Sequence, residues 1–390
     1  MANDYSEAVP KILAMGIKVL RQNAVMPRIV NLDYDAIAKQ QQGDTITITL
    51  PAAVPSTAVV PGPTPPANGS IAPTKVPLTL SNWQSSSFEM SDKQWKEVDR
   101  GIIPMEVSGA VKSLVNDVDN SLFALYPNIY GFYGQETSSA HDDPFEDGTP
   151  KALTNANKVL NDQLAPPQDR RFVMNTAAQA QALALRAFQD VSWSGDPGPI
   201  IEAEINRRLG FDCFMNQNVP NHTAGTAAAG TITLTSDSDV GDASVTLAID
   251  SGTATLVVGD VVSFANHSQT YAVTANATVT TGGVSVSITP TLQVATDGSG
   301  TPVVTDVKPS HAVNLAFQRG AIALASRNIL DDPPPGIDRQ MMMAVPDPIS
   351  GLTLRLQVQR QYMQTRWIFD LLWGVALVRP ELAARVAGAA

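Results

Sequence analysis

Two short stretches of strict apolar–polar alternation, separated by a proline-rich insert, constrain this chain more than any other feature. In GDTITITLP, Ile46, Ile48 and Leu50 alternate with Thr45, Thr47 and Thr49; in KVPLTLS, Val76, Leu78 and Leu80 alternate with Pro77, Thr79 and Ser81. Period two on both sides predicts a hairpin with one apolar and one polar face. The tip between them, Pro51–Pro73, is rich in Pro, Gly, Ala, Ser and Thr and reads as irregular. Arms of roughly 15–20 residues would reach about 50–65 Å at the strand rise. A compact globule of this length has a radius of gyration near ~21 Å, so the hairpin is expected to project from its own body. An isolated two-stranded hairpin is marginal in water. Its apolar face therefore needs a partner, and the simplest one is a neighbouring identical subunit.

Composition points the same way. The chain has 390 residues, 44% hydrophobic but only 16% charged, with 28 prolines. That balance suits a globular protein whose surface is largely covered, most simply by other copies of itself. Against 26 Lys and Arg stand 37 Asp and Glu, a formal charge of -11. A dedicated nucleic-acid binder needs a positive stripe to displace counterions from phosphates, and none is present. The single cysteine, Cys213, excludes an intramolecular disulfide and fits a reducing compartment. Asp4, Glu7, Lys11 and Lys18 interrupt the N-terminal stretch, so no signal-peptide core is expected there. No run of 18 apolar residues predicts a membrane span.

Elsewhere the pattern alternates between helix and strand. Val9, Ile12, Leu13, Ile17 and Leu20 recur at helical spacing and predict an N-terminal amphipathic helix with no local core to join. VMPRIVNLDYD reads as an extended connector, and SNWQSSSFEMSDKQWKEVDRGIIP as a link from the hairpin. Val107, Val111, Leu114, Val115, Val118, Leu122 and Leu125 hold a 3.6-residue period from Pro104 to Leu125, which predicts a long helix. A second helix is expected after Thr149-Pro150, with Thr149 as N-cap. RRFVMN reads as a strand, TAAQAQALALRAF as a third helix, GPIIEAEINRRLG as a fourth ending at Gly210, and FDCFMNQNVP as a strand. From Ala224 to about Thr305 the chain carries no Lys, Arg or Trp, and short β stretches recur between Gly and Asp turns. This predicts an all-β barrel or sandwich inserted into another domain. NLAFQRGAIALASRNIL returns to a helical and mixed pattern, and the C-terminus reads as two long strands and a last short helix.

No catalytic set emerges. His141, His222, His267 and His311 have no metalloprotease spacing, and the acidic loop HDDPFED lacks the alternation of a calcium loop. Cys213 has no paired His and reads as an inert thiol. GDPGP lacks a following Lys-Ser/Thr, GTAAAG lacks a strand–turn–helix setting, and no G-x-S-x-G occurs. The pairs Arg170/Arg171 and Arg207/Arg208 read as solvated or as inter-subunit ion-pair partners.

Several segments in order resemble the major capsid (coat) proteins of tailed bacteriophages, in the branch whose coat carries an inserted β domain. They are VMPRIVNLDYD, GDTITITLP, VPLTLSNWQSSSFEMSD, RRFVMNTAAQAQAL, LGFDCFMNQNVPNHTAGT, NLAFQRGAIALASR and LRLQVQRQYMQTRWIFDLLWGVALVRPELAARV. The resemblance implies an α+β fold of the Hong Kong 97 capsid type. It divides the chain into an N-terminal arm (1–35), an extended β-hairpin loop (36–100) and a peripheral domain with a long spine helix (101–169). An axial domain (170–223 and 309–345) is interrupted by the inserted all-β module (224–308), and peripheral strands (346–390) close the chain. It also implies inter-subunit contacts through Ile46, Ile48, Leu50, Val76, Leu78 and Leu80 of the loop and Ile12, Leu13, Ile17 and Leu20 of the arm. The implied function is structural, not enzymatic: pentamers and hexamers of an icosahedral shell enclosing double-stranded DNA without sequence-specific binding. Implied partners are further copies of the chain and scaffolding, portal and decoration proteins, with no cofactor, metal or membrane. The implied location is the virion capsid, assembled in the host cytoplasm. A decoration, fibre or other surface-binding structural protein is the alternative; the Thr-rich β stretch favours it and the long helices oppose it.

Overall fold

The computed structural model describes residues 8–34, 45–51, 56, 73–93, 102–137, 140–190, 202–203, 205–265, 267–296, 303–328 and 342–390. Most of the Pro51–Pro73 tip, the GDPGP turn and most of the fourth expected helix lie outside these residues. The chain divides into two compact units, one made of Met1–Lys18, Leu32–Ala110 and Ala323–Val378, the other of Val19–Asn31, Val111–Ile322 and Arg379–Ala390.

The helices are α1 (Ala8–Asn23), α2 (Met26–Ile29), α3 (Ile102–Phe123), α4 (Lys151–Asp162), α5 (Thr176–Ala184) and α6 (Arg186–Gln189). In α3 the expected stripe is buried: Val107, Val111, Leu114, Val115, Val118 and Leu122 are closed to solvent. Thr149 does not cap α4. Its hydroxyl and amide both bond Asp147, and Pro150 stands at the cap position without a side-chain acceptor.

The first unit holds the hairpin, β1 (Thr45–Leu50) and β2 (Thr74–Thr79), paired antiparallel with Ile46 opposite Leu78 and Ile48 opposite Val76. Next comes β3 (Asn82–Ser91), where the sequence predicts only a link. It pairs along its whole length with Gln364–Trp373. Its serines give no apolar alternation, so only the distant partner strand defines it. With β20 (Ile322–Ser326), β21 (Met342–Pro346), β22 (Thr353–Gln361) and β23 (Gln364–Leu377) it forms a five-stranded sheet. Cross-strand neighbours Arg355 and Asp370 form a buried ion pair, Nε to Oδ1 at 2.8 Å, to which Trp83 adds an indole hydrogen bond at 3.1 Å.

The second unit is built on a seven-stranded sheet. Its members are β4 (Gly131–Tyr133), β7 (Arg170–Met174), β8 (Arg207–Arg208), β9 (Phe211–Met215), β10 (Asn221–His222), β19 (His311–Gln318) and β24 (Ala383–Gly388); β5 (Glu136–Thr137) and β6 (Ala140–His141) form a small separate hairpin. The 224–308 stretch contains a closed barrel of β11 (Ile232–Leu234), β12 (Ser244–Ile249), β17 (Val284–Thr289), β15 (Thr270–Val273), β14 (Val261–Phe264) and β18 (Val303–Val307). A two-stranded ribbon, β13 (Thr253–Leu256) with β16 (Ala277–Thr280), accompanies it. Alternate residues such as Val245, Leu247, Val262, Phe264, Tyr271, Val273, Val286 and Ile288 fill one core. Closure removes the edges that short Thr-rich strands would otherwise expose.

Four sequence expectations are corrected here. VMPRIVNLDYD, read as extended, holds the short helix α2 at Met26–Ile29, with Pro27 in its first turn. NLAFQRGAIALASR is strand, 3-10 turn and strand, because β19 and β20 are buried on both faces and so show no period-two alternation. Arg207 and Arg208, expected at the end of a fourth helix, pair with β9 as a short antiparallel strand. The C-terminal residues form no helix beyond a 3-10 turn at Pro380–Leu382; Ala383–Gly388 is a strand between β4 and β19. Residues 346–390 are thus shared between two sheets.

Candidate functional site

The ten contact residues read from the sequence are largely covered within one chain. Ile46, Ile48, Leu78 and Leu80 are at most 4% exposed and cluster with Ala323, Ala325, Ala376 and Val378 of the same unit. Leu50 and Val76 are half-buried at the margin of that cluster, beside Tyr34 and Leu372. The small residues of β20 and β23 leave room for the hairpin. At Gly374 the approach is so close that a side chain would collide with the Thr79 carbonyl oxygen. The apolar face for which the sequence predicts a neighbouring subunit therefore has its cover in its own chain. The open face is polar: Thr45, Thr47, Thr49, Lys75, Pro77 and Thr79. In α1, Ile12, Leu13 and Leu20 are buried and Ile17 is half-buried. Tyr362 at the β22–β23 turn is 89% exposed, and its neighbour Met363, also exposed, has φ +56°.

A second concentration of polar chemistry lies where the barrel meets the seven-stranded sheet. His222 on β10 and His311 on β19 are ladder partners with ring centroids 5.3 Å apart. His141 from β6 stacks edge-on to His311 at 5.5 Å, and Phe132 of β4 contacts both. All three histidines are buried. His222 lies between Asp260 of the barrel, Nε2 to Oδ1 at 2.8 Å, and the Tyr126 hydroxyl at 3.1 Å. Asp260 also accepts from the amides of Val257 at 2.7 Å and Gly225 at 3.2 Å. Arg385, opposite Phe132 in the β4–β24 ladder and fully buried, donates to three carbonyls: Nε to Ile129 at 2.7 Å, Nη1 to Gly259 at 2.6 Å and Nη2 to Pro127 at 3.0 Å. Gly259, at φ +96°, brings the barrel backbone so close that a side chain would touch Pro127 and His222. Burial pulls the His311 imidazole down to about 3, helped by the positive charge of Arg385, although its bond to the Pro309 carbonyl opposes this. Burial likewise lowers Arg385 to about 9.

Two further buried polar nodes are structural. Arg170, which the sequence assigned to solvent or to another subunit, is 2% exposed. It staples the end of α4 to β7, with Nη2 donating to Asn161 Oδ1 at 2.7 Å and to the Ala165 carbonyl at 2.6 Å, and Nε to the Pro166 carbonyl at 2.9 Å. A cation there also meets the negative end of the helix dipole. Asp119 on α3 accepts from Asn216 Nδ2 at 2.6 Å. Its burial raises the carboxyl to about 7, against the pull of Asn216, Asn218 and the amides of Val25 and Met26. Nothing in the sequence marks either residue, because a buried charge is recognised only by the groups that enclose it.

Among the described residues, the acidic loop and Cys213 are not brought together into one reactive group. The acidic loop is split: His141 joins the histidine stack, Asp143 accepts from the Ala389 amide and Asp147 holds Thr149. Among the described residues no group of three His, Cys, Asp or Glu side chains is placed to hold a metal ion. A cleft of about 560 Å³ beside β9 is lined by residues including Arg28, Arg207, Asp212 and Cys213, with no His or Ser among its described walls. Burial pushes the Cys213 thiol up to about 12, which keeps it protonated.

No protein-family model matches this sequence, and no curated protein does. Solved structures do match. A chain of Mycobacterium phage Che8 aligns with 93% of this chain and 90% of its own length, with a TM-score of 0.50 and 14% identity. A chain from the capsid structure of the Cyanophage P-SCSP1u aligns with 94% of this chain and 88% of its own, with a TM-score of 0.52 and 10% identity. At such identities the likeness is one of fold, and it runs through almost the whole of each chain.

Proposed function

We propose that this chain, which has the α+β fold of phage capsid chains of the Hong Kong 97 type, is a major capsid protein whose copies build an icosahedral shell around packaged DNA. The observation that carries the reading is the near end-to-end fold match to the cyanophage capsid chain. The alternative of a decoration or fibre protein draws support from the closed barrel alone, whereas the match covers 94% of this chain.

In this reading residues 1–35 act as the arm and 36–100 as the extended loop. Residues 101–169 form the peripheral domain around the spine helix α3, and 170–223 with 309–345 the axial domain. The barrel within 224–308 is an insert, and 346–378 return to the peripheral sheet; β24 goes instead with β7 and β19. Because the hairpin's apolar face is covered at home, we assign its contact with a neighbour to the threonine face and to the Pro51–Pro73 tip. Rings of five and six copies would repeat each contact around the shell. Interfaces of standard size bury about 1,600 Å² each, so modest contacts made on every side sum to a durable container. The charge of -11 suits an inner wall that encloses DNA without adhering to it.

Producing the chain alone, separating it by size and imaging the fractions by electron microscopy tests this. Closed shells or five- and six-membered rings support the reading. Shells that form only when neighbouring phage genes are co-expressed also support it and assign a need for scaffolding. A chain that remains monomeric in both settings overturns it.

A further inference from the structure

The histidine stack has a property that shell building does not explain. Three of the chain's four histidines meet in one buried cluster. They do so where the barrel is held on the seven-stranded sheet. The attachment includes His222–Asp260, Arg385 to the Gly259 carbonyl, the Thr270 hydroxyl to the Tyr130 carbonyl at 2.6 Å, and a small apolar contact of Phe132, Val261 and Ala387.

We propose that this cluster is an acid-sensitive joint, in which the uncharged, buried His311 ring packs the barrel's His222 attachment onto the sheet and protonation of His311 releases it. The charges around His311 support only its neutral state. From β24 comes the cation Arg385; from the barrel comes the carboxylate Asp260, already engaged by His222 and two amides. His141 on β6, His222 on β10 and Tyr126 in the turn after α3 are the titratable neighbours, and Asp143 lies beyond them, bonded to the Ala389 amide. Among the described residues, His311 faces no carboxylate. Its Nδ1 lies 2.8 Å from the Pro309 carbonyl and donates to it, so Nε2 is the atom that takes a proton from solvent, and Nε2 has no hydrogen-bond partner among the described residues. A proton there would set a second cation beside Arg385 in a dry site, where like charges repel strongly. Opening exposes the ring to water and restores its ordinary basicity. Acid therefore favours the open joint, and the effect grows as pH falls below 6.5 toward about 3.

The inference stands whether or not the chain builds a shell. Its test is amide hydrogen exchange on the full-length unassembled chain at pH 7.0 and pH 4.5, corrected for intrinsic rates. The informative peptides cover Asn221–Gly225, Gly259–Val261 and Val307–Ala312. At pH 4.5, two units below the free imidazole value, joint protection should fall by roughly a hundredfold, while β12 inside the barrel keeps its protection. In His311→Phe, which retains the ring packing and cannot be protonated, the drop should shrink to about twofold or less. Equal protection at the two pH values, or an undiminished drop in the variant, overturns the proposal. Should that variant misfold, nuclear magnetic resonance of the wild-type rings decides: a His311 titrating near 6.5 in the closed state overturns it, and one still neutral at pH 4.5 supports it.

Discussion

Replacing Asp119 by Asn should make this protein progressively more stable relative to wild type as pH rises. The Asp119 carboxyl is 2% exposed and raised from 3.8 to about 7, chiefly by burial. A group whose folded value lies above its unfolded one contributes stability that is complete below 3.8 and lost as pH rises through 7. The shift of about three units, at 1.36 kcal/mol each, sets that loss at about 4 kcal/mol, with about 2 kcal/mol gone by pH 5.5. The amide introduced by Asp119→Asn has no such titration and can still accept from Asn216. Its extra N–H donors face the amides of Val25 and Met26, which adds a constant, pH-independent cost. Urea unfolding of the unassembled chain at pH 4, 5.5, 7 and 8, followed by tryptophan fluorescence, reads the difference directly. It should swing by about 4 kcal/mol in favour of Asp119→Asn between pH 4 and 8. A difference constant to within about 0.5 kcal/mol across that range would refute the buried, neutralised carboxyl. Comparing variant with wild type also cancels His311, whose lowered value acts in the opposite sense, with stability complete above 6.5 and lost as pH falls toward about 3. Between about pH 4 and 6.5 the two groups nearly offset one another in the wild type, so each single variant should expose the slope of the other.

Three other outcomes follow from the same contacts. Ile48→Ala should destabilise the unassembled subunit by about 2–4 kcal/mol in urea; loss of assembly with unchanged subunit stability would mean that a neighbour, not the Ala323–Val378 cluster, buries this face. Arg170→Met should lower stability by about 3 kcal/mol or more by orphaning Asn161 and two carbonyls, and Arg170→Lys should not rescue it, since an ammonium cannot span the fork. Native Cys213 should react with iodoacetamide at pH 7.5 roughly a thousandfold more slowly than the unfolded chain, its thiol standing at about 12 rather than 9.0. A native rate within about tenfold of the unfolded one would contradict its burial.

Neighbouring residues alone determined a good deal. The alternation at Thr45–Leu50 and Thr74–Thr79, the periodicity of α3 and the Thr-rich strand repeats each encode a local structure through which side chains share a face. Faces follow from the backbone period, and the period is a property of consecutive residues. The likeness to phage coat proteins rested instead on resemblance, carried by seven stretches taken in order from VMPRIVNLDYD to the C-terminal strands. What covers each face is a different matter. The sequence showed that the hairpin's apolar side needed a partner; only the fold revealed that β20 and β23 of the same chain supply it, Gly374 making the room. The strands β3 and β24 were likewise invisible, the first because it is polar and the second because it is short and buried, and each exists through a partner far away in the chain. The histidine stack is the extreme case. His141, His222 and His311 are scattered singly, and none carries a motif. Their proximity, and the burial that keeps His311 neutral, arise when β6, β10 and β19 converge beside the barrel, because the electrostatic character of an ionisable group is set by what surrounds it in space.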